Sequence, residues 1–142
     1  MKLPDVNLLL YATDSSAPRH AAARRWLEEQ LSGSETLALA WVVLLAFLRL
    51  GTNPSVFDKP LKVSEALDLV DEWLSQPPTT VIHPTERHAA ILRELLEPMG
   101  TAANLTTDAH LAALAIEHGA ELCSCDSDFA RFSRVRWHDP LR

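Results

Sequence analysis

The chain has only two cysteines, Cys123 and Cys125. They are too close together to staple distant segments and too few for a structural zinc site. Long apolar runs are also missing: the longest uncharged one, Leu37 to Leu48, has 12 residues, whereas a membrane span needs about 20. Asp5 interrupts the apolar start that a secretory leader would require. The expected compartment is therefore the reducing cytoplasm. Positive charge is in deficit as well, with 13 Lys and Arg against 19 Asp and Glu, a net −6. That sign argues against a generic coat protein that holds nucleic acid by a basic surface. No repeat, low-complexity tract or charge block marks a linker, so the 142 residues read as one domain with one core. An acidic pocket suits RNA only once a divalent cation fills it, so the placement of the acids becomes the question.

Apolar periodicity gives the framework. Leu3-Pro4-Asp5 reads as a short strand, followed by an apolar helix over Val6 to Ala12. Arg19 to Leu31 is helical, with Ala22, Ala23, Trp26 and Leu27 on one stripe. Thr36 to Ala40 suits a buried strand and leads into a helix over Trp41 to Leu50 that is apolar nearly all round. Ser64 is positioned to cap a helix over Glu65 to Ser75. Thr79 to His83 is a β-branched strand, Glu86 to Glu97 a helix and Leu105 to His118 another. Glu121 to Cys125 is a strand, with Cys123 and Cys125 as core thiols, and Val135 to Trp137 an edge strand. Strands alternating with helices imply an α/β fold: a three-layer α/β/α sandwich around a mostly parallel sheet.

In such sheets ligands bind beyond the carboxyl ends of the strands. Two strands end in aspartate, at Asp5 and at Asp126, with Asp128 two residues on. Asp108 falls in the first turn of the helix that leads back to the Asp126 strand. If those two strands are neighbours, the carboxylates meet at one edge. Two unit charges about 4 Å apart at an effective dielectric near 20 repel by about 4 kcal/mol, so a bound cation or protonation must relieve the cluster. Oxygen donors without clustered imidazole or thiolate favour Mg²⁺ or Mn²⁺. Such an ion supports phosphodiester hydrolysis by water. The plainer reading of any single acid is a turn former or cap, Asp128 above all, as N-cap of the turn containing Phe129. His110, two residues after Asp108, faces another side of its helix and reads as packing rather than as a general base.

Four blocks, in order along the whole chain, resemble PIN-domain ribonucleases, specifically the VapC toxins of toxin–antitoxin pairs. They are Pro4-Asp5-Val6-Asn7-Leu8-Leu9-Leu10-Tyr11-Ala12, then Phe47-Leu48-Arg49-Leu50 with Thr52-Asn53-Pro54, then Thr107-Asp108-Ala109-His110-Leu111-Ala112-Ala113-Leu114-Ala115, and finally Cys125-Asp126-Ser127-Asp128-Phe129-Ala130-Arg131-Phe132 with Trp137. The resemblance implies a Mg²⁺- or Mn²⁺-dependent endoribonuclease, dimeric and inhibited by a VapB-like antitoxin. It assigns Asp5, Asp108 and Asp126 to the metal and to catalysis, with Asp128 auxiliary. Asn7 and Ser124 would support the cluster, and Arg49, placed near the cleft by the matched motif, would contact an RNA phosphate. Arg131, Arg134 and Arg136 follow the acid turn, where they would steady RNA or meet the acidic groups of an antitoxin. The apolar Trp41–Leu50 helix, with Trp26 and Trp73, is either core or part of an antitoxin groove.

One position departs from the pattern. The family usually has a glutamate just before Phe47-Leu48-Arg49, and Ala46 stands there. Glu35 lies at the opposite, amino end of the second strand. The substitution implies one ion rather than two. It also keeps open an alternative, a catalytically weakened PIN-like module that binds RNA or protein. A phosphatase with Asp5 as nucleophile fits less well, because the second aspartate such enzymes need is Asn7 here.

Overall fold

A computed structural model describes residues 1–142. Five strands, β1 (Lys2–Pro4), β2 (Leu37–Leu39), β3 (Thr79–Val81), β4 (Glu121–Cys123) and β5 (Trp137–His138), form one sheet in the order β3-β2-β1-β4-β5. All four pairings are parallel. The helices are α1 (Val6–Thr13), α2 (His20–Ser32), α3 (Trp41–Gly51), α4 (Val63–Ser75), α5 (His88–Leu96) and α6 (Thr106–His118).

The strand order dictates the layers. From β1 through β2 to β3 the chain steps one way across the sheet, and right-handed crossovers put α1 to α4 on one face. From β3 it returns across β2 and β1 to β4, so α5 and α6 take the other face. Packing agrees: α1 touches α2 and α3, α3 touches α4, and α5 touches α6. This is the expected three-layer sandwich, and its turning point lies between β1 and β4. The helices read from periodicity all form, displaced by one or two residues at their ends.

β1 keeps the expected three residues but begins one earlier, at Lys2, and ends at Pro4; the other four strands are shorter than their apolar runs suggest. Lys2 donates its N–H to Thr36 at 3.0 Å, so the nitrogen of Pro4, two residues on, faces β2 as well and has no hydrogen to give. The β1–β2 ladder is accordingly limited to the Lys2–Leu37 register, whereas β1 and β4 pair over three positions ending at Pro4–Cys123. Asp5 donates to Cys123 at 2.9 Å, which locks the end of β1 to the end of β4.

Ser64 is not the cap of α4. Lys62 holds that position, and its N–H is accepted by Glu65 at 3.1 Å, which leaves Ser64 in the first turn. The core joins both layers: Phe47 of α3 meets Trp73 of α4 edge-on, with ring centroids 4.8 Å apart. Trp26 and Trp73 are buried in it, and Trp73 also lines a groove between α1, α2 and α4. On the apolar α3, Trp41 and Leu45 remain 44% and 58% exposed. No helix is long and apolar enough to cross a membrane.

Candidate metal centre

The carboxyl ends of β1 and β4 deliver the acids to one cleft. Asp5 directly follows β1 and caps α1, its Oδ1 accepting the N–H of Val6 at 2.7 Å. Asp126 caps the 3₁₀ turn Ser127–Arg131, accepting the N–H of Asp128 at 2.9 Å. The cap expected of Asp128 thus belongs to Asp126, because the extended backbone lies at 126 and Asp128 is already inside the turn. Asp108 stands in the first turn of α6. Carboxylate oxygens of Asp108, Asp126 and Asp128 lie within 4.8 Å of one another.

Asp5 is outside that trio but faces the same cleft. Its Oδ2 accepts from the Ser124 hydroxyl at 2.8 Å and from the Asn7 amide at 3.2 Å. Ser124, fully buried, also accepts from Asn7 Nδ2 and from the N–H of Asp126, each at 3.0 Å. Asn7 Oδ1 accepts the N–H of Cys125 at 3.3 Å. Ser124 and Asn7 therefore tie the end of β1 to the turn after β4, and both expected supporting residues meet the acids. A carboxylate has about four acceptor sites, so these bonds leave Asp5 acceptor capacity for a ligand.

The cleft, of about 310 Å³, is lined by Asp5, Asn7, Asp108 and Asp126 on one side and by Val42, Ala46 and Arg49 of α3 on another. Ala46 thus occupies the wall where the family glutamate was expected. Glu35 takes no part, as it pairs with the Met1 amino group at 3.0 Å. Arg49 and Arg131 have no hydrogen-bond or ion-pair partner within the chain, whereas Arg134 pairs with Glu94 and Arg136 donates to the Gly119 carbonyl. A larger groove of about 400 Å³ between α1, α2 and α4 lacks any comparable gathering of acids.

Repulsion among these carboxylates is visible in their proton affinities. Asp108 is pushed up to about 6, first by burial and then by the charges of Asp5, Asp126 and Asp128. Asp5 is also raised, by burial against the opposing effect of its bonds from Ser124 and Val6, with the Asp126 charge adding to the rise. A divalent cation removes that repulsion. Donors that are carboxylates alone suit Mg²⁺ or Mn²⁺, so the residues present fit such an ion.

The PIN-domain family model matches residues 2–135. The chain belongs to the PIN-domain family. Relatives within the family include ribonuclease VapC37 of Mycobacterium tuberculosis, 49% identical over 99% of this chain and 97% of that protein. Ribonuclease VapC33 of the same species is 44% identical over 100% and 99%. Among solved structures, the fold resembles VapBC2 of Rickettsia felis bound to a DNA fragment from its promoter, with TM-score 0.70 and 22% identity over 96% of both chains. VapBC-1 of nontypeable Haemophilus influenzae gives TM-score 0.67 and 14% identity over 99% and 98%.

Sequence reasoning missed some PIN-domain residues in and around the cleft. Thr107 and Val42 line it; the first stands beside an expected ligand, but the second has no chemical signature. Also missed was the contact of His110 with His88, since residues 22 apart with ordinary surface composition carry no pairing signal.

Proposed function

We propose that this PIN domain is a divalent-metal-dependent endoribonuclease acting as the toxin of a toxin–antitoxin pair. The observation that carries the proposal is the cluster of Asp108, Asp126 and Asp128 within 4.8 Å, of which Asp108 and Asp126 line the same cleft as Asp5. The ribonuclease names of full-length relatives support RNA as substrate. When bound, Mg²⁺ or Mn²⁺ supplies Lewis-acid polarisation and a water acidic enough to attack phosphorus.

The protein's own part is positioning. Asp108, Asp126 and Asp128 provide the converging oxygens, and Asp5 adds a fourth carboxylate fixed by Ser124, Asn7 and Val6. Arg49, free of internal partners at the cleft wall, draws in a substrate phosphate. Arg131, beyond the acid turn, contacts the neighbouring backbone of the RNA. Ala46 contributes no oxygen, so the carboxylates present would hold one ion rather than two. A VapB-like antitoxin is the proposed partner, supported by the VapBC complexes among the structural neighbours. The exposed Trp41 and Leu45 form the apolar face available to it or to a second copy in a homodimer.

Expression of the wild type and of Asp5→Asn, with sequencing of all new RNA 5′ ends, tests this function. New ends should appear with the wild type only; full activity in a folded Asp5→Asn protein would refute it. Ala46 in the cleft favours the one competing reading, a binding module without chemistry. For that reading, no RNA is cut and titrated Mg²⁺ or Mn²⁺ gives no heat.

A further inference from the structure

A second polar cluster lies on α6, apart from the acids. Glu117, near the end of that helix, has a side chain wholly removed from solvent. Its Oε1 accepts from the Thr85 N–H at 2.9 Å and the Thr85 hydroxyl at 2.6 Å, and its Oε2 meets His88 Nδ1 at 2.5 Å. Arg87 donates to the Glu117 carbonyl at 2.9 Å. Burial alone would raise the Glu117 carboxyl, but the bonds from His88 and Thr85 outweigh it and hold the group below the usual glutamate range. It is a fixed carboxylate, and it sets the orientation of one imidazole.

With Nδ1 committed to Glu117, His88 turns Nε2 toward His110 Nδ1 at 2.9 Å, the rings meeting edge-on. His110 and Glu117 are seven residues apart, two turns on one face of a helix. A single side chain from α5 thus bridges two turns of α6. That bridge ends two residues beyond Asp108.

Apolar burial of Ala109, Leu111, Ala112 and Ala113 anchors the inner face of α6, but few polar bonds fix the start of the helix. Leu105, at the cap position, offers no side-chain bond to the free N–H groups, and Ala103 just before it has φ of 33°, a strained value for a residue with a Cβ. The bond to His88 is the only side-chain hydrogen bond made by the first two turns. Yet this is where Asp108 must stand against the repulsion of Asp126 and Asp128.

We propose that His88 and His110 are positioning residues of the metal centre. The Glu117–His88–His110 chain pins the first turns of α6 to α5 and so keeps the Asp108 carboxylate within reach of Asp126 and Asp128. The inference rests on the metal reading of those acids. Outer residues that orient metal ligands typically change affinity by 10- to 100-fold when replaced. Here the chain acts through helix position, and the low end applies.

The test is Mn²⁺ titration, followed by loss of the free-ion electron paramagnetic resonance signal. It uses the wild type, His110→Leu, His110→Asn and His88→Phe, with folding checked by circular dichroism. Asn keeps a nitrogen near the place of Nδ1, while Leu and Phe keep bulk without the hydrogen bond. Mn²⁺ affinity should fall about tenfold in His110→Leu and His88→Phe and stay within about threefold of wild type in His110→Asn. Excess Mn²⁺ should restore RNA cleavage in the weakened variants, with KM for RNA unchanged. Wild-type affinity in either folded apolar variant overturns the proposal, and so does equal loss in His110→Asn and His110→Leu, which would mean packing alone. A wild type that binds no Mn²⁺ overturns the metal reading itself, and this inference with it.

Discussion

Replacing Asp108 by asparagine should stabilise the metal-free protein while removing a metal ligand. In the fold the Asp108 carboxyl is lifted from 3.8 to about 6. If the group were fully shielded, that difference between folded and unfolded chains would cost about 3 kcal/mol. Asp108 is only half-buried, and screening by water leaves about 1 kcal/mol. The sign follows from the raised value: ionisation is harder in the folded chain, so the cost is full above about pH 6. It shrinks as the pH falls below about 6 and vanishes below 3.8, where both states are protonated. In EDTA at pH 7.5, calorimetry should find Asp108→Asn melting about 3 °C higher than wild type, and about half that gain at pH 5. Saturating Mn²⁺ should reverse the order, since a ligand that binds only the folded wild type stabilises it by mass action. A variant less stable than wild type in EDTA at pH 7.5, or a gain that does not shrink on acidification, would refute the argument.

Two other substitutions probe the supports of the site. Ser124→Ala removes the donor to Asp5 and the acceptor of two further bonds in a buried place. Urea unfolding should register a loss of about 1–3 kcal/mol, and half-maximal Mn²⁺ binding should move to higher pH, because the bond that lowers the Asp5 carboxyl is gone. Ala103→Gly relieves the left-handed backbone ahead of α6. Its strain outweighs the extra freedom of an unfolded glycine by about 0.5 kcal/mol, and the melting temperature should rise by 1–2 °C or so.

The layer architecture was legible because each helix buries a distinct apolar stripe and each strand is a short β-branched or leucine-rich run between breakers. The same signal overstated strand lengths. Thr36 and Ala40 are as apolar or β-branched as their neighbours, but ladder pairing, which composition does not encode, stops at Leu37 and Leu39. Asp5, Asp108 and Asp126 were legible as a group from strand ends and one helix start. Their grouping still required β1 to lie beside β4, a long-range pairing that the order of the elements suggests but does not dictate. Which acid caps the turn after β4 depended on one residue's backbone, and there Asp126 displaced Asp128. Trp26 and Trp73 read as core or groove with equal ease, because burial of an indole depends on what stacks above it. The Glu117–His88–His110 chain was invisible for a similar reason: His110 and Glu117 share one face of α6, but nothing in the sequence sets His88 of α5 against them.

The proposed chemistry depends on one small hard ion being held where Asp108, Asp126 and Asp128 converge beside Asp5. Crystals soaked in Mn²⁺ and measured near the manganese absorption edge test this directly. The account predicts one anomalous peak between Asp108, Asp126 and Asp128, on the side of the cleft where Asp5 stands. A fully soaked crystal with no peak there, or with its only peak at His88 and His110, would contradict it.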